Sequence, residues 1–284
     1  MWRMSIEPFI TMISAAIIHS NTRMEQILNT LTYLKELVKV DEIIIINDGP
    51  LCLADYNFKV INVNRSSHLF CRAKLWDAAI NASTHETVII MDGDRLPHRS
   101  FFESARSISA KEVMYCEHLM QANYHLSYAE YVSYLYESPF VPDDHRFKRD
   151  VRALISYGTI PPKKNPMSGC VAFRKSDYIA WGGMSHRFLA YGFNDVDCYA
   201  RAYFYGCKFT SVCCPEVHMY HTRETNKRHF LAMNAYNGVL FYDMWNLPVH
   251  SDVLKLLACL HATVADARSY DLMGFCNYVS LSSY

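Results

Sequence analysis

Apolar and polar positions follow two different periods along the first hundred residues, and the switching between them predicts alternating strands and helices. Residues 10–19 form a mostly aliphatic stretch, the pattern of a buried strand. Residues 22–38 place Ile27, Leu28, Leu31, Leu34 and Leu37 at helical spacing. The run Asp41-Glu-Ile-Ile-Ile-Ile-Asn-Asp-Gly49 reads as a strand and turn, residues 58–63 as a strand, residues 70–81 as a helix and residues 87–91 as a further strand. Continuous aliphatic runs separated by helices imply strands covered on both faces, hence a doubly wound α/β sheet that is mainly parallel.

The pattern changes after residue 110. Residues 119–136 are rich in tyrosine (124, 128, 131, 134 and 136, with Tyr115 just upstream) and are expected to form a helix with an aromatic face. Residues 137–165, with four prolines and the basic stretch His145-Arg-Phe-Lys-Arg149, read as an irregular loop. Order is expected to return with a strand at 167–173, a glycine turn at Gly182-Gly183, a helix at 194–205 and a strand at 208–213. From Thr225 onward the chain reads as mostly helical, interrupted by Pro248. The expected organisation is one unit over 1–230, with halves at 1–110 and 165–230, followed by a helical extension at 231–284.

Composition narrows the class. The chain has 284 residues, 51% apolar and 20% charged, enough for a sizeable core and too apolar for disorder. A net charge of zero argues against a protein that lives on attraction to phosphate backbones. Ten cysteines without a CxxC pair read as buried reduced thiols. No run approaches the ~20 apolar residues of a membrane span, and the N-terminus has no secretory pattern, so a cytoplasmic protein is expected.

Four groups of residues carry candidate chemistry. The most informative is Thr87-Val-Ile-Ile-Met-Asp-Gly-Asp94, a buried strand that ends in two carboxylates, at the sheet edge where α/β proteins bind ligands. Such carboxylates call for a cation or a proton between them, and a divalent metal there can neutralise a diphosphate. Gly93 between them lets a phosphate approach the backbone. Asp48, Asn21 and Arg23 belong at the same edge and suit a nucleotide's base and ribose, although Asn-Asp-Gly is also a plain turn signal. In Ala190-Tyr-Gly-Phe-Asn-Asp-Val-Asp197 the acidic residues either cap a helix or supply a general base. In Glu216-Val-His-Met-Tyr-His221, His218 and His221 compete as a metal ligand, the alternative being a structural histidine.

Together these groups resemble nucleotide-sugar glycosyltransferases of the GT-A fold. Ile17-Ile-His-Ser-Asn-Thr-Arg23 and Ile43-Ile-Ile-Ile-Asn-Asp-Gly49 look like the first two strands of that superfamily. Arg72, Ala78, Ala79 and Val88-Ile-Ile-Met-Asp-Gly-Asp-Arg-Leu-Pro-His-Arg-Ser-Phe101 look like its central block. Ser168-Gly-Cys-Val-Ala-Phe-Arg-Lys175, Trp181-Gly-Gly183, the 190–201 block and His221-Thr-Arg-Glu-Thr-Asn-Lys227 are similar to the β-galactosyltransferase and chondroitin-polymerase branch. The similarity runs in order over residues 10–230 and stops before the last helices.

The resemblance implies a mixed, mainly parallel sheet flanked by helices, and a metal-dependent, inverting transfer from a nucleotide-diphosphate sugar, UDP-linked by preference, to a hydroxyl of a saccharide. It implies Asp94 as a manganese or magnesium ligand, Asp92 on the ribose or the metal, His221 completing the coordination and Asp195 as general base. Asn21, Arg23, Asp48 and Arg72 would hold the nucleotide; Tyr191, Asn194, Trp181 and Gly183 would shape the sugar and acceptor pockets. Asn194 stands where the branch has glutamate and Tyr191 where it has tryptophan, so sugar identities do not transfer. Branch members in the Golgi carry a membrane anchor, so a bacterial enzyme, or a viral one in the host cytoplasm, fits this chain better. Two alternatives remain. The aromatic helix and basic loop would suit a glycosyltransferase that acts on a hydroxymethylated base in viral DNA; the acidic edge would also suit a metal-dependent phosphohydrolase or an inactive sugar- or nucleotide-binding module.

Overall fold

A computed structural model describes residues 11–20, 23–48, 58–63, 70–137, 145–149, 169–222 and 227–281. Strand β1 (Ile13–Ser20), helix α1 (Met24–Tyr33), β2 (Glu42–Asp48), β3 (Lys59–Val63), α2 (Arg72–Ala82) and β4 (Thr87–Asp92) form the first half. β1 pairs in parallel with both β2 and β4, and β2 with β3. The aliphatic runs are buried because the sheet is covered on both faces: Ile17, Ile45 and Ile89 pack against α1, and Ile18, Ile46 and Ile90 against α2. This register sets Asp48 and Asp92 at one edge of the sheet.

The second half turns the sheet mixed. After β4 come β5 (Arg95–Pro97), α3 (Arg99–Ala105), β6 (Glu112–Ala122), α4 (Tyr128–Glu137), β7 (Phe147–Arg149), β8 (Cys170–Arg174), α5 (Lys175–Ala180), α6 (Asn194–Tyr205) and β9 (Lys208–His218). The strand order is β3-β2-β1-β4-β8-β6-β9-β5, with β7 added on β6. β8 runs antiparallel to β4 and β6, β6 is parallel to β9, and β5 is antiparallel to β9. β5 begins at Arg95, just after β4 ends at Asp92, so the last strand of the order lies two turn residues from a central one.

Two expectations for the middle are corrected. Residues 119–136 are not one helix: Leu119 to Ala122 complete β6, and α4 starts only at Tyr128. Met120 and Ala122 alternate into the core at strand spacing, and the tyrosines downstream disguised that change of period. Within the segment expected to be irregular, Phe147–Arg149 forms a strand on β6; residues 138–144 and 150–165 lie outside the described residues, as do Met167 and Ser168 of the strand expected at 167–173.

Four helices follow β9: α7 (Lys227–Met244), α8 (Ser251–Cys259), α9 (Val264–Ser269) and α10 (Leu272–Leu281). They share one apolar cluster with Phe188, Ala190, Phe193, Val196 and Ala200 from the loop before α6 and from α6 itself. That loop holds Ala190, Gly192 and Phe193 at positive φ (58°, 101° and 62°), a conformation that costs the two non-glycine residues energy. Asn237 of α7, fully buried, donates from Nδ2 to the carbonyls of Leu189 (2.8 Å) and Tyr191 (2.9 Å) and holds the loop in place. No helix among the described residues is long and apolar enough to cross a membrane.

Replacing Asn237 by alanine removes the donor from both carbonyls and is expected to cost about 1–3 kcal/mol. Thermal unfolding of the Asn237→Ala chain should show a lowered midpoint; an unchanged midpoint would contradict the clamp.

Candidate active site

Asp92 and Asp94 diverge where β4 ends. The Asp92 amide donates to Gly169 O (2.7 Å), the Gly93 amide to Ile18 O (2.8 Å), and Thr30 Oγ1 to Gly93 O (3.0 Å), so the turn is fixed from both sides. The Met219 amide then donates to Asp94 O at 2.9 Å, and the β5 register sets Arg95 opposite His218. The consequence is that Asp94, only 2% exposed, faces the end of β9.

Asp94 Oδ2 lies 3.4 Å from His218 Nε2 and 3.2 Å from His221 Nε2, with the two imidazole nitrogens 3.1 Å apart. The Arg23 guanidinium touches the same oxygen, and Arg95 Nε lies 3.6 Å from Oδ1. Burial alone would raise the Asp94 pKa, but His218, His221 and Arg23 outweigh it and hold the carboxyl well below the usual range. Burial and the neighbouring Arg95 lower the His218 pKa although Asp94 acts the other way, which favours the neutral imidazole that ligates metals. One carboxylate and two imidazole donors lie within 4.8 Å of one another, a set suited to manganese or a similar divalent ion.

The two histidines that compete in the sequence therefore converge on one carboxylate. Their cluster does not include Asp92, which pairs instead with Arg72 NH2 at 2.7 Å. Arg72, in the first turn of α2, also reaches Asp195 Oδ1 from Nε at 3.6 Å and lies over the Trp76 ring at 5.9 Å. Burial disfavours the Arg72 charge, but Asp92 and Asp195 more than offset it, so its pKa rises further and it remains a cation. Asp195 stands in the first turn of α6, where its charge favours the helix dipole. About a third of its side chain reaches solvent (32%), yet surrounding protein raises its pKa, aided by Asp92 and opposed by Arg72.

The remaining candidates separate. Asp48 is buried at the end of β2, in register with Ser20. Asn194 turns inward and donates to Phe188 O at 3.4 Å. Tyr191 is 44% exposed and sits between Phe70 (6.4 Å) and Phe230 (5.6 Å). Trp181 and Gly183 take packing roles: Trp181 is buried against Phe173 and Tyr178, and a side chain at Gly183 would collide with the Tyr178 ring. Asn21 lies outside the described residues, as do Asp150, Val151 and Arg152 of the basic loop. Tyr131 and Tyr134 are core side chains, so the expected aromatic face is occupied by packing rather than open for stacking on bases. Sequence reasoning missed Arg95 and the fully buried Glu216 that faces it at 3.4 Å; an arginine directly after the two carboxylates was the available signal.

Residues 153–225 match the sequence family described as the N-terminal domain of galactosyltransferase. No curated protein matches the chain. Among solved structures, a mycobacterial protein aligns with a TM-score of 0.53 at 14% identity, over 84% of this chain and 76% of its own. The mannosyltransferase PcManGT from Pyrobaculum calidifontis, in complex with GDP-Man and Mn2+, aligns with a TM-score of 0.50 at 12% identity over 98% of this chain and 77% of its own. GalNAc-T7 with UDP, GalNAc and Mn2+ aligns with a TM-score of 0.50 at 11% identity, over 79% of this chain and 48% of its own. The chain has the GT-A fold of these glycosyltransferase structures.

If Asp94, His218 and His221 hold one ion, manganese should raise the melting temperature in proportion to binding, about 2.7 kcal/mol at a hundred times Kd. His218→Ala and His221→Ala should each reduce that shift, and Asp94→Ala should abolish it. A shift that persists in Asp94→Ala would place the ion elsewhere.

Proposed function

We propose that this chain is an inverting, metal-dependent glycosyltransferase that moves a sugar from a nucleotide-diphosphate donor, UDP-linked by preference, to a hydroxyl of a saccharide acceptor. The observation that carries the proposal is the pairing of two carboxylate environments at one sheet edge. Asp94 sits in a cationic cluster with two imidazoles, and Asp195 is tied to the same edge through Arg72 and Asp92. GDP-Man with Mn2+ in the PcManGT complex, and UDP, GalNAc and Mn2+ in the GalNAc-T7 structure, support the choice of donor class and ion for this fold.

The roles follow from the electrostatics. Asp94, His218 and His221 would hold the ion, which supplies positive charge to the departing diphosphate. Arg23, at the same carboxylate oxygen, is placed to follow that charge onto a phosphate. Arg72 is a fixed cation that holds Asp92 towards the nucleotide side and keeps Asp195 oriented. Asp195 takes the proton of the acceptor hydroxyl, and that oxygen attacks the anomeric carbon opposite the leaving group, so the configuration inverts. The raised pKa of Asp195 makes it a stronger base than an ordinary aspartate. The exposed ring of Tyr191, flanked by Phe70 and Phe230, offers an apolar face to a sugar.

A phosphohydrolase would ordinarily require a second set of ligands beside the first. Among the described residues, the one other donor group lies on β6 and β9, away from Asp92, which favours transfer over hydrolysis. DNA as acceptor finds no support in the buried tyrosines of α4.

Manganese-dependent release of UDP from UDP-sugars should rise when a saccharide acceptor is added. Asp195→Asn should fold normally and lose roughly 10²–10⁴-fold in kcat; near-normal turnover would remove Asp195 from the role of base. Because the base works ionised, wild-type kcat/KM should fall as pH drops through a pKa above the usual aspartate value. The Asn variant should lack that acidic limb, and a limb unchanged by the substitution would assign it to another group.

A further inference from the structure

A second group of metal-ligating side chains lies on the same pair of strands, outside the site described above. Between Cys116, which faces Val212, and His118, which faces Pro215, β9 carries one residue more than β6. This bulge sets Cys213 and Cys214 against the single residue Glu117. Cys214 turns into the core, its sulfur 3.7 Å from that of Cys116. Cys213 turns outward, its Sγ 3.9 Å from His118 Nε2. The Cys213 sulfur, a His118 ring nitrogen and a Glu117 carboxylate oxygen all fall within 4.8 Å of one another.

That spacing is close to what a shared ion requires. Zn–S near 2.3 Å and Zn–N near 2.0–2.1 Å set the two donor atoms of a tetrahedral site about 3.5 Å apart. Small rotations of exposed side chains cover the difference. The donor set also selects its ion: a thiolate with an imidazole suits zinc, whereas the carboxylate and two imidazoles of the first cluster, which contain no sulfur, suit manganese.

We propose that Glu117, His118 and Cys213 form a second metal site, specific for zinc or a similarly thiophilic divalent ion and distinct from the Asp94 cluster. Cys213 and Glu117 are exposed and His118 is half-buried, so the ion enters from solvent with water as its fourth ligand. Binding transfers the Cys213 thiol proton to solvent and leaves the thiolate on the metal. The ion ties β6 to β9 at the point where their ladder is interrupted. His218 follows Cys213 by five residues on β9, so the tie lies on the strand that delivers a ligand to the first cluster.

Cobalt(II) reports the site directly, because a thiolate ligand gives a charge-transfer absorption that carboxylates and imidazoles do not. Titrated with cobalt, the full-length chain should show this absorption, and zinc should displace it. The absorption should survive in Asp94→Ala/His221→Ala and in Cys259→Ser, which changes the other exposed cysteine among the described residues. Cys213→Ser should lose it, and His118→Ala should weaken cobalt binding by about tenfold or more. Unchanged circular dichroism in these surface variants would show that the fold is kept. The proposal is overturned by no charge-transfer absorption in the wild-type chain, or by absorption that persists in Cys213→Ser.

Discussion

Three residues of antiparallel ladder, Arg95 against His218, Leu96 against Val217 and Pro97 against Glu216, hold the turn after β4 against the end of β9. Without that pairing Asp94 would be one more polar residue at a strand end. With it, the buried carboxylate meets two imidazoles and a guanidinium. The constraint is topological. β4 and β5 are separated by two residues in the chain but by β8, β6 and β9 in the order of the sheet, so the sheet brings its far edge back to its centre. A cluster assembled from residues more than a hundred positions apart follows from that return.

The bulge in β9 matters for the same reason. Through Cys214 the even positions Val212 and Cys214 face the core; beyond it Val217 and Met219 do, a shift from even to odd positions. A regular, unbulged ladder through the same residues would have kept even positions inward, turning His218 towards the core face and away from Asp94. The bulge therefore decides which way His218 faces. This explains why the choice between His218 and His221 could not be settled from spacing alone.

Much of the first half was legible in the sequence because its signals are uniform. The isoleucine run of β2 and the Val-Ile-Ile-Met run of β4 are buried on both sides, and nothing interrupts their period. The helix at 194–205 was legible for another reason: acidic residues open it and Gly206, at φ 97°, closes it. β6 was not, because its polar Glu117 and His118 interrupt the apolar pattern midway along the strand. Trp181 and Gly183, expected at the sugar and acceptor pockets, pack against Tyr178, whereas Arg72 and Asp195 approach each other at the sheet edge. Aromatic and glycine residues serve packing as readily as binding, whereas charged groups brought together at a buried edge need one another. The division at residue 230 also hides a physical link, since α7 to α10 share their core with the loop that leads into Asp195.

The chemistry proposed for this sheet edge depends on which side chains take the ion. Crystals of the full chain grown with manganese and UDP, measured at the manganese absorption edge, locate it by anomalous scattering. The anomalous peak should lie among Asp94, His218 and His221, with the diphosphate beside it and Asp92 on the side of the ribose. A peak bound by Asp92 with neither histidine in contact would contradict the central claim.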